Sequence, residues 1–295
     1  MDNISRRVLL KGLLAGTAVI AIPDSISSLA KPKNIDDLNF RLKGNVNHSV
    51  ARWCFGDIDI DTFCSEAKKI GISGIDLVGP KDWPVLKKYN LISTMCNGAE
   101  INLVDGFNDI KFHDVLIKNY SEMIPLVAKS GYKNLICFSG NRRGKTDEEG
   151  WNNCVLGLQK LLPLAEKHNV LLVMELLNSK VDHKDYQCDK TSWGVTLAKR
   201  LNSENFKLLY DIYHMQIDEG DVIRTIKENH QYIAHYHTAG VPGRNEIDES
   251  QELNYPAIMR EIVKTGFSGF VAQEFIPKNS DKLASLKSAI SICDI

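Results

Sequence analysis

The sequence predicts an α/β protein built as a single (β/α)8 TIM barrel. Three observations carry this. After residue 43, short apolar or β-branched runs alternate with longer amphipathic stretches. Strand-then-helix alternation implies parallel strands joined by crossover helices. Eight such units in about 250 residues is the count and size of a (β/α)8 barrel. The rival architecture, a doubly wound open sheet, often has a Gly-rich first turn, and none is found here.

The elements follow in order. The first strand is expected at NVNHSVARW (45–53). DTFCSEAKKIG (61–71) then carries Phe63, Ala67 and Ile70 at helical spacing and stops at a glycine. Strands are expected at GIDLV (74–78), LISTMC (91–96) and NLICFS (134–139), with a helical pattern at 113–131 between the last two. A further helix is expected over WNNCVLGLQKLLPLAEKHN (151–169). Strands five to eight are VLLVMEL (170–176), KLLYDI (207–212), IAHYHT (233–238) and GFVAQEF (269–275). Helical patterns at 221–230 and 255–266 flank strand seven. Residues 44–295 thus read as one barrel domain, with no second domain, low-complexity segment or long linker.

Composition narrows the function classes. With 43% hydrophobic and 25% charged residues, the chain is ordinary globular protein. A formal net charge of −1 gives no general affinity for nucleic acid or anionic membrane. The densest basic group, NRRGK (141–145), is too short for a binding patch and reads as a solvated loop. Seven cysteines, with no C-x-x-C pair, give little support to a zinc ribbon or disulfide scaffold. Cys96 and Cys137 lie in strand-like runs and are expected as small core residues.

Residues 1–30 read as a signal segment. Arg6 and Arg7 precede an apolar stretch from Leu13 to Ile22 and a small-residue site at Ser28-Leu29-Ala30. The paired arginines resemble a twin-arginine (Tat) signal, which implies export, as to a periplasm. The apolar part is too short for a stable membrane anchor. An ordinary N-terminal helix, and a cytoplasmic protein, is the alternative. Residues 31–43 form a polar lead-in. Free thiols sit uneasily with an oxidising compartment.

The chemistry lies at the ends of the later strands. In a barrel of this kind, residues at the C-terminal strand ends surround the active site. Strand five ends with Glu175, strand six with Asp211, strand seven with His237 and strand eight with Glu274. One acid at a strand end is commonly a turn or cap residue. Four ionisable groups at four successive strand ends would repel one another if left unpaired. A divalent cation resolves this. Three carboxylates and an imidazole suit Mn²⁺, and also Co²⁺, Mg²⁺ or Zn²⁺. Salt bridges to arginines inside the barrel are the alternative. No arginine lies in these strand runs, and Arg244, the nearest, sits in a loop. His235 alternates with His237 along strand seven and is expected to point the other way, packed behind the barrel.

Four segments carry a family resemblance: MELLNSKVDH (174–183), YDIYHMQ (210–216), HTAGVPGRNEIDESQELNY (237–255) and VAQEF (271–275). They resemble the hydroxypyruvate isomerase branch of the xylose isomerase-like TIM barrels, over roughly residues 45 to 290. The resemblance implies metal ligands at Glu175, Asp211, His237 and Glu274. It departs at His237, where that branch tends to have Gln and ketose 3-epimerases have His. It also implies that the metal polarises a carbonyl and stabilises an enediolate. Glu175 and Glu274 would then remove and return the proton.

Of the remaining residues, His214 and His183 match histidines near the substrate. Arg244 is expected on a substrate oxygen or on Glu175. Trp53 is expected as a wall of the barrel mouth. The expected partner is a small carbohydrate or hydroxy-carbonyl substrate, and a homo-oligomer is left open. Three functions stand apart: an isomerase or epimerase, a lyase or dehydratase acting on an oxidised sugar or 3-keto-glycoside, and a non-catalytic sugar-binding protein. DNA repair is disfavoured, because it calls for more metal ligands and a basic groove.

Overall fold

The computed structural model describes residues 41–295. The signal-like segment (1–30) and most of the polar lead-in lie outside the described residues. Eight parallel strands close into a barrel in chain order. They are β1 (Asn47–Ala51), β2 (Gly74–Val78), β3 (Ile92–Cys96) and β4 (Asn134–Cys137), then β5 (Leu171–Glu175), β6 (Phe206–Asp211), β7 (Ile233–Thr238) and β8 (Phe270–Gln273). Closure is made by β8 pairing with β1, from Asn47↔Phe270 to Val50↔Gln273. The first helix, α1 (Ile60–Ile70), shows why the chain turns where it does. Asp59 caps its N-terminus by accepting from the Asp61 and Thr62 amides, and Gly71 ends it at φ +93°.

Two sequence expectations need revision. The first strand is shorter than 45–53, because Arg52–Phe55 curls into a 3₁₀ turn. The Arg52 guanidinium donates to the carbonyls of Phe55 and Ile58, which holds that curl. Trp53 therefore stands on a turn at the end of β1. The helix expected at 151–169 is two helices, α4 (Asp147–Leu158) and α5 (Leu162–His168). Pro163 lies in the first turn of α5, where its missing N–H costs nothing, but it cannot continue a helix from α4. The start of α4 is set by a capping box between Thr146 and Glu149.

The remaining helices complete the outer ring. They are α2 (Trp83–Lys88), α3 (His113–Lys129), α6 (Thr191–Leu201), α7 (Ile212–Asp218), α8 (Val222–Asn229), α9 (Tyr255–Lys264) and α10 (Lys282–Cys293). The apolar strand runs are buried as expected, including Leu172, Met174, Leu208, Tyr210 and Tyr236. Cys96 and Cys137 are among these core residues. Among the described residues, no helix is long and apolar enough to cross a membrane.

Candidate metal centre

Consecutive strands deliver consecutive groups to one point. Glu175 is the last residue of β5, Asp211 the last of β6, His237 the penultimate residue of β7, and Glu274 directly follows β8. Register places Asp211 beside His237. One ligand atom from each of the four lies within 4.8 Å of the others, and all four residues are buried. Asp211 serves two purposes. Its Oδ1 caps α7, accepting from the Tyr213 amide at 2.8 Å and the His214 amide at 3.2 Å. Its Oδ2 faces Arg244 Nη2 at 3.1 Å.

His237 sits at the centre. Its Nδ1 lies 3.1 Å from Glu175 Oε1 and 2.6 Å from Glu274 Oε2. Burial works against its charge, but Glu274, Asp76 and Glu175 outweigh it and raise the imidazole well above its ordinary pKa. Burial pushes the Asp211 carboxyl up to about 7, against the pull of Arg244. Burial raises Glu175 as well, opposed by its hydrogen bond to His237. Glu274 is equally buried, yet His237 and Arg244 hold it below the usual carboxylate range. Two of the three carboxyls are thus disfavoured as anions. Convergent, buried and under-compensated oxygens beside an imidazole fit a divalent cation with mixed O/N ligands.

The other expected residues surround this group. Trp53 Nε1 donates to Glu274 Oε1 at 2.6 Å, while the ring remains 47% exposed. Arg244 reaches in from the loop after β7, its guanidinium 5.4 Å from the Trp53 ring and 5.2 Å from the Tyr213 ring. It donates to Asp211, Glu274 and His214. Of the two contacts expected for Arg244, a substrate oxygen or Glu175, the one with Glu175 is replaced by contacts with that residue's neighbours. His183 stacks edge-on against His214 at 5.1 Å between ring centres. His214 is buried, and burial together with Arg244 keeps it well below its ordinary pKa.

The expectation for His235 is wrong. Side chains alternate along a strand, so residues two apart share a face. His235 and His237 both meet Asp76, at 3.0 Å and 2.8 Å. Asp76 itself was not among the expected site residues. It sits mid-strand in β2 and is fully buried. A charged residue in the run GIDLV was the signal available for it.

The xylose isomerase-like TIM barrel family matches residues 64–291. The chain belongs to this family. Within it, 2-oxo-tetronate isomerase from Cupriavidus necator is 33% identical over 114 residues, covering 39% of this chain and 43% of that protein. Hydroxypyruvate isomerase from Escherichia coli is 24% identical over 241 residues, covering 77% of this chain and 91% of that protein. The chain thus spans under half the length of the Cupriavidus relative. A solved structure described as a family 2 AP endonuclease from Brucella melitensis shares the fold. It has a TM-score of 0.71 at 22% identity, covering 83% of this chain and 97% of that one. The xylose isomerase-like barrel here thus presents its convergent acids at the mouth where this architecture places active sites.

Proposed function

We propose that this protein is a divalent-metal-dependent isomerase or epimerase of a keto-sugar or small hydroxy-carbonyl compound. The observation that carries the reading is the convergence of Glu175, Asp211, His237 and Glu274 at the barrel mouth. Its relatives' activities support the class: one is an isomerase of 2-oxo-tetronate and another of hydroxypyruvate.

In this reading the four residues hold one metal ion, with Mn²⁺ favoured and Mg²⁺, Co²⁺ or Zn²⁺ as alternatives. When bound, it supplies a Lewis acid that polarises a carbonyl and offsets charge developing beside it. Glu175 and Glu274 act as the acid–base pair, removing a proton from one carbon and returning it to the same or the neighbouring carbon. Arg244 and His214 meet substrate oxygens, His183 borders them, and the exposed face of Trp53 forms a wall of the pocket. Residues 1–30 act as a twin-arginine-type signal.

Metal analysis of the purified protein, followed by NMR of candidate keto-sugars in D₂O, tests the reading. Solvent deuterium should enter a carbon next to the carbonyl. Asp211→Asn should lower metal affinity and turnover together while the fold survives. A protein that holds no divalent metal, or an Asp211→Asn variant that binds and turns over like wild type, defeats it.

A further inference from the structure

Below the four convergent groups lies a second polar layer that the proposed chemistry does not use. Asp76 comes from β2 and meets β7. Its Oδ2 lies 2.8 Å from His237 Nε2 and its Oδ1 lies 3.0 Å from His235 Nε2. Thr94 of β3 donates to the same Oδ1 at 2.5 Å. All four residues are buried. Room for this arrangement is made by Gly74. A Cβ there would come within 2.3 Å of Thr94 Cγ2. An aspartate inside an otherwise apolar strand is costly unless its partners are well placed.

The two imidazole nitrogens of His237 therefore face different company. Nε2 faces Asp76 alone, and Nδ1 faces Glu175 and Glu274. An ionised carboxylate only accepts hydrogen bonds, so without a cation both nitrogens carry a proton, and a cation among Glu175, Asp211 and Glu274 displaces the one on Nδ1, while Nε2 keeps its own against Asp76. That leaves the Nδ1 lone pair for the cation. A carboxylate behind a ligating histidine fixes its tautomer and ring orientation and makes the other nitrogen a better donor.

We infer that Asp76 is a positioning residue for the metal centre. It holds the Nε2–H of His237 and so makes Nδ1 the metal-facing nitrogen. Thr94 holds Asp76 in turn by its hydrogen bond, and His235 lies against it. This inference rests on the proposed metal site and adds a residue from the opposite part of the barrel to it.

The test compares wild type with Asp76→Asn and Thr94→Val. Mn²⁺ affinity is measured by titration calorimetry, and the imidazole ¹⁵N shifts of His237 are read in the Zn²⁺-loaded protein. Asp76→Asn should weaken Mn²⁺ binding by about 10–100-fold. Saturating Mn²⁺ should then return kcat to near the wild-type value, because no group that touches substrate has been changed. The His237 shifts should move away from the Nε2-protonated pattern. Thr94→Val is the milder change. It should weaken Mn²⁺ binding in the same direction by a smaller factor, and it keeps the question answerable if Asp76→Asn does not fold. Undiminished Mn²⁺ affinity in a folded variant overturns the inference but leaves the metal site standing. No Mn²⁺ binding by wild type, with none by Zn²⁺, Co²⁺ or Mg²⁺, overturns both.

Discussion

Replacing Arg244 with Met separates two roles for the positive charge at the barrel mouth. The methionine keeps an apolar stem between the Trp53 and Tyr213 rings, so packing is largely preserved. What is lost is a guanidinium that bridges Asp211 Oδ2 and Glu274 Oε2 while its own side chain is only 13% exposed. Removing one partner of a buried ion pair costs about 3–5 kcal/mol, because the other charge stays buried. The lower end applies here. His237 continues to face Glu274. The third contact of Arg244, to His214 Nε2, is compromised as well. Asn178 Nδ2 approaches the other nitrogen of that ring at 2.6 Å. Its Oδ1 is already committed to two backbone amides, so it faces the ring as a donor. A neutral imidazole accepts at only one nitrogen. A loss of about 3 kcal/mol lowers Tm by about 6–12 °C in a domain of this size. The assay is thermal unfolding of wild type and Arg244→Met, in EDTA and in excess Mn²⁺. A large deficit is expected in EDTA, and a metal-induced rise in Tm that is greater in the variant than in wild type. Equal melting in EDTA, or equal metal-induced shifts, would show that Arg244 does not stand in for a cation at the mouth.

Three further outcomes are expected. Glu175→Gln and Glu274→Gln should each lose net turnover with metal still bound; one should retain exchange of the substrate C–H with D₂O and the other should not. Near-wild-type turnover in both would end two-carboxylate catalysis and turn attention to His214 or His183. A thiol reagent added to the native protein should find almost no reactive cysteine, and all seven after denaturation, since every cysteine is buried and unpaired. Rapid labelling of the native protein would contradict that. Changing Arg6 and Arg7 to Lys should trap the precursor in the cytoplasm, and unimpaired export would exclude the twin-arginine route.

The barrel and its convergent acids were legible for the same reason. Each of β5 to β8 contains a short apolar run, and a carboxylate or imidazole at the end of such a run stands out against it. Glu175, Asp211, His237 and Glu274 all have that form. Asp76 does not, because it lies mid-strand and its partners are distant in sequence. Only barrel closure brings β2 to β7. His235 was legible in principle, since a period of two puts it on the face of His237. The partners of Arg244 were not. They depend on the path of the loop after β7, where the Arg244 amide donates to the Gly240 carbonyl and Arg244 itself adopts φ +58°. The break between α4 and α5 was marked by Pro163, but the amphipathic pattern continues across it.

Charge is what joins these pieces. Asp211 can cap a helix and still serve the site, because one oxygen meets the α7 amides and the other looks inward. Four buried carboxylates lie in or just below the mouth: Asp76, Glu175, Asp211 and Glu274. Arg244 supplies one fixed positive charge among them, and His237 a second while it stays protonated. With those alone, carboxylates outnumber cations, and burial, with the nearby Glu274 charge adding to it, raises the Asp211 and Glu175 carboxyls. A monovalent cation that displaced the His237 proton would leave the balance unchanged. A divalent cation on Nδ1 improves it by one charge, and can do so only while Nε2 keeps its proton against Asp76. The deep aspartate and the acids at the mouth therefore belong to one electrostatic design. Losing Asp76 should weaken divalent-metal binding even though it removes a negative charge, the opposite of what simple dilution of charge would give.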